Sequence, residues 1–370
     1  MEGDLIKINE WMTPLSWVYG LGVFVRNEMF DLGLLKSRSF DIPVISIGNI
    51  TVGGTGKTPH TEYLIELLRH HFKVAVLSRG YKRKTTGFVL ANEKSRMKDI
   101  GDEPFQIKEK FPDIYVAVDK NRCHGIEQLC NENIAPGTEV ILLDDALQHR
   151  YVKPGINILL IDYHRMITED KLLPAGRLRE PQEGKSRANI VIVTKCPRDI
   201  KPMGFRVISK ALKLFPYQKL FFSTFQYGKL RAVDSENSDR ELSSITKDEH
   251  ILLLTGIASP EQMIIDLKSY THNITSISFQ DHHFYSEKDL QHVLHTFQKI
   301  EGRKIIITTE KDYSRLKDIK LHEEINKNLY VLPIQVEFMQ KQENTFNENI
   351  IGYVRKNSRN SILAKRKNAK

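Results

Sequence analysis

The stretch Ser46-Ile-Gly-Asn-Ile-Thr-Val-Gly-Gly-Thr-Gly-Lys-Thr58 decides the fold that this sequence predicts. An apolar run at Ile42-Pro-Val-Ile-Ser-Ile47 precedes it, and apolar residues recur at helical spacing between Pro59 and Leu68. Strand, glycine-rich loop and helix in this order are typical of a phosphate-binding loop. Glycines let the backbone wrap around a polyphosphate, and N–H groups at the helix N-terminus point at the anion. The stretch therefore predicts nucleotide binding.

We expect the loop residues to share the work of holding the nucleotide. Lys57 would reach the outer phosphates, and the Thr58 hydroxyl would bind magnesium. The strict motif has glycine where this chain has Thr51, so the loop departs from it at one position. The remaining nucleotide contacts are expected from the backbone and hydroxyl groups of Thr51, Gly53, Gly54, Thr55 and Gly56.

Further short apolar runs predict an α/β fold of the P-loop NTPase type, with a mainly parallel sheet and helices on both faces. Continuous apolar strands suit a sheet that is covered on both sides. The first set of runs is 73–78, 114–118, 140–143, 156–161 and 190–193, and a second set, 250–255, 274–278, 304–308 and 329–332, predicts a smaller α/β lobe. We expect an N-terminal helix at 1–30, a P-loop core at 31–225, the smaller lobe with a polar linker at 226–340, and a basic tail at 341–370.

The charge distribution and the cysteine content limit the classes of binding partner that we expect. The formal net charge is +9, but seven basic residues and no acid lie between Arg355 and Lys370, so the rest is nearly neutral. Such a tail is most often a solvated, disordered end, although it could bind an anionic membrane surface or nucleic acid. No nucleic-acid motif and no obligate protein partner are indicated. The three cysteines have no spacing suited to zinc, and their odd, scattered number argues against a disulfide framework, which favours a reducing compartment.

The N-terminal segment Leu15–Val25 is apolar but too short to span a bilayer, which takes about 20 residues. It carries Trp17 and Tyr19, follows Trp11 and precedes Arg26. Aromatic residues of this kind favour a membrane interface, whereas an ordinary helix packed on the protein's own core is equally compatible with the pattern.

Carboxylates follow the predicted strands. Glu139-Val-Ile-Leu-Leu-Asp-Asp145 has the form of the acidic strand that accompanies a phosphate-binding loop, so Asp144 or Asp145 would hold magnesium. Gly101-Asp-Glu-Pro104 predicts a tight turn with two carboxylates. Of Asp102 and Glu103, one would bind metal and the other would accept a proton from an attacking hydroxyl.

Three further segments carry candidate chemistry. Asp281-His-His283 could form an acid/base dyad. Leu172–Pro181 holds Arg177 and Arg179, which could neutralise phosphates. Thr194-Lys-Cys-Pro197 is similar to the guanine-reading motif of GTPases but has proline at the acidic position, so guanine specificity is not expected.

Eight segments in order resemble the tetraacyldisaccharide 4'-kinase (lipid A 4'-kinase) family. They cover most of the chain, and the family also has a small hydroxyl residue at the position of Thr51. The segments are 14–20, 48–59, 78–81, 101–104, 143–149, 172–181, 279–282 and 309–312.

The resemblance implies transfer of the γ-phosphate of ATP to the 4'-hydroxyl of a tetraacylated glucosamine disaccharide 1-phosphate, giving lipid IVA. It implies Asp102 as proton acceptor with His282 as its partner, and Lys57 on the β and γ phosphates. Magnesium would lie on Thr58, Glu103 and Asp144, and the substrate or supporting residues would be Arg79, Asp145, His149 and Arg177.

A lipid acceptor stays in the bilayer, so the resemblance favours the membrane interpretation of Trp11–Val25. It implies a peripheral protein on the cytoplasmic face of the bacterial inner membrane. The alternative is a partitioning-type P-loop switch ATPase at the membrane, whose loops share Gly-Gly-x-Gly-Lys-Thr but carry a signature lysine where this chain has Thr51.

Overall fold

The computed structural model describes residues 8–257, 260–281, 283–317 and 319–368, with side chains described as far as residue 358. The chain forms two units. The first comprises Met1–Phe225 and Val336–Lys370, and the second comprises Gln226–Gln335.

The strands form largely where the sequence has short apolar runs. Their bounds are β1 Val44–Gly48, β2 Val74–Ser78, β3 Val89–Leu90, β4 Tyr115–Val118, β5 Val140–Asp144, β6 Ile156–Asp162, β7 Ile190–Thr194, β8 Lys219–Tyr227, β9 Arg231–Ala232, β10 His250–Thr255, β11 Ile274–Ser278, β12 Lys304–Thr309, β13 Leu329–Leu332 and β14 Ile334–Phe338.

The helices connect these strands. Their bounds are α1 Thr13–Asp31, α2 Lys57–Arg69, α3 Met97–Ile100, α4 Asp102–Lys110, α5 Arg122–Leu129, α6 Pro202–Leu212, α7 Glu261–Leu267, α8 Glu287–Lys299, α9 Glu310–Leu316, α10 Glu323–Asn328 and α11 Glu343–Asn368. Short 3-10 helices lie at Glu10–Met12, Gln182–Arg187 and Leu242–Ser244.

The first unit is built on a nine-stranded sheet in the order β14-β8-β7-β6-β1-β5-β2-β4-β3. The strands from β8 to β4 are parallel, and β3 is antiparallel to β4. From β1 the chain moves outward in one direction through β2 and β4 and in the other through β6, β7 and β8. In open parallel sheets ligands bind at the carboxyl ends of the strands beside such a reversal, which points to the loop after β1.

Helices cover both faces of this sheet, as the alternation of buried side chains requires. Ile45 and Ile47 of β1 pack in a core with α2, α4 and α11, whereas Val44 packs in a core with α5 on the opposite face. A third core joins β6 and β7 to α6. The predicted P-loop-type α/β architecture is therefore present.

The second unit has a five-stranded sheet in the order β11-β10-β12-β13-β9. Its first four strands are parallel, and β9 is antiparallel to β13. Helix α7 packs on one face, and α8 and α10 pack on the other.

Two expected segment boundaries differ from the structure. The polar region near 225–247, expected as a linker, contains the end of β8 and the whole of β9. The expected tail at 341–370 contains α11, whose Phe346, Ile350 and Val354 are fully buried in the first unit. The apolar spacing of four residues in 346–354 explains the difference, because it supplies a helical stripe that the basic residues beyond it obscure.

Helix α1 has 19 residues but is not apolar enough to span a membrane. Among the described residues, no helix combines the length and apolar character that crossing a bilayer requires. Its polar side chains bind the rest of the first unit: Ser16 Oγ donates to the carbonyl of Leu172 at 2.9 Å, and Tyr19 Oη donates to the carbonyl of Arg179 at 2.9 Å.

Candidate active site at the carboxyl end of the first sheet

The phosphate-binding loop lies between β1 and α2, as the sequence predicts. Gly53 and Gly56 have φ values of 116° and 81°, a region in which side chains are strained, so glycine is required there. Asn49 Nδ2 donates to Thr55 Oγ1 at 2.7 Å across the loop. Gly56 immediately precedes α2, so the first N–H groups of the helix face the loop.

Lys57 faces the acidic end of β5. Its Nζ lies 3.7 Å from Asp145 Oδ1, and Arg179 Nη1 lies 3.4 Å from the other oxygen of Asp145. Asp145 adopts a φ of 47°, in the left-handed region that is uncommon for residues other than glycine. Asp145 therefore holds Lys57 near the loop with an ionic contact that phosphate oxygens can replace.

Asp144 is 2% exposed and lies beside the end of β1, paired in register with Ile47. Thr61 Oγ1 donates to its Oδ1 at 3.3 Å, and Ser78 Oγ approaches Oδ2 at 3.5 Å. Burial, followed by the negative charges of Glu103 and Asp145, raises the pKa of Asp144 to about 7. A buried carboxylate crowded by others and weakly hydrogen-bonded is well suited to receive a cation.

Asp102 and Glu103 form the first turn of α4, and not the tight turn that the sequence predicted. Proline is tolerated in a first helical turn, and acidic side chains are favoured at a helix N-terminus. Asp102 is 9% exposed. The charge of Glu103 acts on Asp144, so the structure brings the α4 N-terminus and the β5 end together.

Two glycines seat this helix start against the loop after β2. A Cβ on Gly101, which has a φ of 93°, would lie 2.9 Å from the carbonyl oxygen of Tyr81, and one on Gly80 would lie 3.0 Å from the carbonyl oxygen of Ile100. The segments 78–81 and 101–104 therefore touch backbone to backbone. This contact holds Arg79 on the same side of the sheet as Asp102.

A cluster of basic groups lies next to the carboxylates. Arg122, at the start of α5, is 2% exposed, and burial lowers its pKa to about 10. Burial and the positive charges of Arg122, Arg26 and Arg79 lower the pKa of His149 to about 4. Two buried nitrogens, Nε of Arg122 and Nε2 of His149, have no hydrogen-bond partner among the residues that the structure describes. The cluster is thus positioned to accept an anionic or polar group.

The segment after β6 reinforces the phosphate-binding loop. The Val52 amide donates to the carbonyl of Arg177 at 2.7 Å, and the Arg179 amide donates to the carbonyl of Ile50 at 2.8 Å. The exposed Arg177 guanidinium lies 3.8 Å from where a Cβ on Gly53 would stand. Arg177 therefore sits beside the loop, as expected for a phosphate-neutralising residue.

The donor set suits magnesium. Asp144, Asp145, Glu103 and the Thr58 hydroxyl are oxygen ligands, which Mg²⁺ prefers. Among the described residues, no three His, Cys, Asp or Glu side chains are grouped closely enough to enclose a metal. Mg²⁺ is usually bound through one or two carboxylates, with waters and substrate phosphates completing its shell.

The segment 281–283 belongs to the second unit. His282, expected as the partner of Asp102, lies outside the described residues, so that pairing stays a prediction. In the second unit, Asp281 binds Lys311 at 3.0 Å and His283 binds Asp289 at 3.0 Å. In the segment similar to a guanine-reading motif, Lys195 pairs with Asp162 at 2.7 Å.

Sequence reasoning missed Arg122, Arg26 and His60. Arg122 follows β4, and the rule that ligands gather at the carboxyl ends of parallel strands was a signal that could have found it. His60 lies in α2 and is 2% exposed, and burial lowers its pKa to about 4. No local pattern marks Arg26 or His60, because their importance comes from partners more than 100 residues away.

Three features occur together: the strand order reverses at β1, a glycine-rich loop lies at that point, and the neighbouring strand carries a buried aspartate. Together they define a P-loop nucleoside-triphosphate-binding protein. The family model described as Tetraacyldisaccharide-1-P 4'-kinase matches residues 8–354. The chain therefore belongs to this family.

Relatives and a solved structure agree with this assignment. The chain is 63% identical to a tetraacyldisaccharide 4'-kinase of Phocaeicola vulgatus over 363 residues, covering 98% of this chain and 99% of the relative. It is 56% identical to the one of Bacteroides fragilis over 377 residues, covering 100% and 99%. The crystal structure of the "apo" form of LpxK from Aquifex aeolicus in complex with ATP matches with a TM-score of 0.69 and 29% identity, covering 93% of this chain and 98% of that one.

Proposed function

We propose that this protein transfers the γ-phosphoryl group of ATP to the 4'-hydroxyl of a tetraacylated glucosamine disaccharide 1-phosphate, giving lipid IVA. The observation that carries the proposal is the phosphate-binding loop beside the buried Asp144 in a chain of this family. The family membership does not support the partitioning-type switch ATPase, which was the alternative.

On the donor side, Lys57 and the loop amides hold the β and γ phosphates. As phosphate approaches, Lys57 exchanges its contact with Asp145 for phosphate oxygens, and Arg177 adds a second positive charge beside Gly53. Thr58, Glu103 and Asp144 would hold Mg²⁺, which would supply positive charge to the phosphate oxygens when bound. A loose phosphoryl-transfer transition state needs such alignment and charge neutralisation more than covalent help.

On the acceptor side, Asp102 takes the proton from the attacking 4'-hydroxyl. Its place in the first turn of α4 supports this role, because the helix dipole favours the ionised carboxylate that a base requires. His282 is proposed as its partner.

The basic cluster of Arg26, Arg79, Arg122 and His149 is proposed to orient the acceptor and the transferred group. Arg122 has an unpartnered buried nitrogen beside Asp144 and Asp145, so a phosphate or sugar oxygen would satisfy it. Before the nucleotide binds, Asp145 is the ion-pair partner of both Lys57 and Arg179.

The face of α1 supports membrane contact. Trp11 is 94% exposed, and an exposed apolar strip follows along the helix: Leu15, Trp17, Val18, Leu21, Phe24 and Val25. Large exposed apolar patches on a folded protein mark interaction sites. The polar residues of α1 bind the segments 172–179 and 148–150, which flank the active site. We therefore propose a peripheral enzyme on the cytoplasmic face of the inner membrane, with the site near the lipid surface.

The reaction is tested by incubating the protein with γ-labelled ATP, Mg²⁺ and the disaccharide lipid. We expect a labelled lipid phosphomonoester with the wild type and none with Lys57→Met. ATP hydrolysis without labelled lipid would refute the proposal.

Asp102→Asn should lower turnover by at least about a hundredfold, the usual contribution of a general base, while ATP binding persists. Asp113→Asn, an exposed carboxylate shortly after α4, is the matched control.

Membrane contact is tested by cosedimentation with phosphatidylglycerol vesicles. Trp17→Ser combined with Leu21→Ser should move the protein to the supernatant, because two large apolar side chains are lost from the interface. Met203→Ser combined with Val207→Ser, at exposed apolar positions of α6, should not. Equal release of both double variants would contradict a specific role of α1.

A further inference from the structure

Two successive carbonyl groups of the phosphate-binding loop are held by side chains. The single hydroxyl proton of Thr194, at the end of β7, has its nearer acceptor in the carbonyl oxygen of Thr55, 3.0 Å from Oγ1, whereas the carbonyl oxygen of Ile161 lies at 3.3 Å. His60 Nδ1 lies 2.7 Å from the carbonyl oxygen of Gly56. A carbonyl oxygen only accepts, so His60 Nδ1 carries the proton and donates it. The loop is therefore fastened at both peptide groups that precede Lys57.

His60 is itself fixed at its other end. Its Nε2 lies 2.9 Å from Ser223 Oγ on β8. Because Nδ1 is the donor in the neutral ring, Nε2 accepts from the serine hydroxyl. His60 thus links the start of α2 to the sheet. The main-chain bond from the His60 amide to the same Gly56 carbonyl is long, at 3.3 Å, so the imidazole makes the shorter contact.

The consequence follows from the geometry of the peptide bond. In a planar trans peptide the C=O and N–H groups point in opposite directions. When the Thr55 carbonyl is held by Thr194, the Gly56 amide must point the other way, and the same holds for the Gly56 carbonyl and the Lys57 amide. These two N–H groups are among those that a phosphate-binding loop offers to the anion.

Both side chains are buried where water cannot replace them. Thr194 is 0% exposed and His60 is 2% exposed. The Phe225 side chain also lies close to Gly56, since a Cβ added to Gly56 would stand 2.9 Å from Phe225 Cζ. A loop whose carbonyls are held before the ligand arrives loses less freedom on binding, which raises affinity.

We propose that His60 and Thr194 are positioning residues for ATP, which hold the Thr55 and Gly56 carbonyls so that the Gly56 and Lys57 amides face the phosphates. The inference rests on the proposed placement of ATP on this loop. It gives Thr194 a role in the donor site that does not involve reading the nucleotide base.

The test uses the full chain and steady-state kinetics with both substrates. Thr194→Val keeps the volume and removes the donor, and His60→Leu removes both of its hydrogen bonds. Each should raise the KM for ATP about tenfold, the cost of one hydrogen bond at the upper end of its usual range, with the KM for the lipid acceptor unchanged. His60→Asn should restore most of the ATP affinity, because its amide nitrogen can take the place of Nδ1.

Thr308→Val is the matched control. Thr308 is also a fully buried strand threonine whose Oγ1 donates to a carbonyl, that of Leu254 at 2.9 Å, but it lies in the second unit. It should lower thermal stability as much as Thr194→Val does and leave the KM for ATP unchanged.

The outcomes separate the two claims. If Thr194→Val and His60→Leu lose stability while the KM for ATP stays at the wild-type value, the positioning role is overturned and the loop can still be the ATP site. If Lys57→Met retains full ATP affinity, the proposed ATP site fails and the inference fails with it. If His60→Leu does not fold, Thr194→Val alone decides between these results.

Discussion

Replacing Asp144 by asparagine should stabilise the metal-free protein while abolishing its activity. The carboxyl is 2% exposed, and burial together with Glu103 and Asp145 raises its pKa from 3.8 to about 7. The two hydroxyl contacts, at 3.3 and 3.5 Å, are too long to offset the desolvation of a charge. Asparagine has nearly the same shape and carries no charge.

The sign of the pH dependence follows from linkage. A folded-state pKa above the unfolded value means that the native state binds the extra proton between about pH 4 and pH 7. Stability from this group is present below about pH 4 and is lost as the pH rises through 7. Relative to a neutral side chain, the ionised carboxylate costs about 4 kcal/mol at about pH 8 and about 2 kcal/mol at about pH 5, taking 1.36 kcal/mol per pKa unit.

The assay is the free energy of unfolding from urea titrations of nucleotide-free protein in EDTA, at about pH 8 and about pH 5. Asp144→Asn should be more stable than the wild type at both, with an advantage that narrows by about 2 to 3 kcal/mol at the lower pH. Asp41→Asn, at an exposed carboxylate shortly before β1, is the control and should show no such change. An Asp144→Asn protein that is less stable at about pH 8, or whose advantage does not depend on pH, would refute the reasoning.

Three further predictions concern the first unit. Gly56→Ala should lower the free energy of unfolding by about 1 to 3 kcal/mol, because Gly56 has a left-handed backbone and an added Cβ would contact Phe225. Adding Phe225→Leu should restore only the part lost through that contact. If calorimetry showed that the double variant regains the full stability, the backbone contribution would be ruled out. As the pH falls from about 6.5 to about 4, the lowered pKa of His60 near 4 removes about 3 kcal/mol of stability, whereas the raised pKa of Asp144 acts in the opposite direction. The wild type should therefore lose about 3 kcal/mol more stability than His60→Asn over this range, as compared in thermal scans at the two pH values. Burial raises the pKa of Cys196 to about 12, so a maleimide should label the exposed Cys130 in the native protein and reach Cys196 only after unfolding, as read by peptide mass spectrometry.

Much of the fold could be predicted from local patterns. The apolar runs located β1, β2, β4 to β7 and β10 to β13, because a strand buried on both faces must be apolar along its whole length. The phosphate-binding loop was recognisable because its backbone needs positive φ values, which glycine adopts easily and which Gly53 and Gly56 have in the structure. Lys57 was predicted as a site residue from its place in that loop, and Asp144 and Arg177 were predicted from their own segments together with the family resemblance.

The elements that were missed depend on distant partners. Strand β8 and helix α11 lie far from β1 along the chain, and α11 looked like a basic tail because charge masked the spacing of its buried residues Phe346, Ile350 and Val354. The start of α4 was taken for a turn because proline and two acids suit both structures. Only the packing of Gly101 against Tyr81 decides in favour of the helix start.

The amino-acid sequence by itself determined the nucleotide-binding loop, the α/β class and the resemblance to the lipid A 4'-kinase family, since each rests on residues close together in the chain. The tertiary structure decided which side chains meet. It placed Arg122 beside Asp144, set Asp145 between Lys57 and Arg179, and joined His60 to Ser223 on β8. The physical reason is that the carboxyl ends of parallel strands converge on one edge of the sheet, whereas the residues they carry are separated by tens to hundreds of positions in sequence.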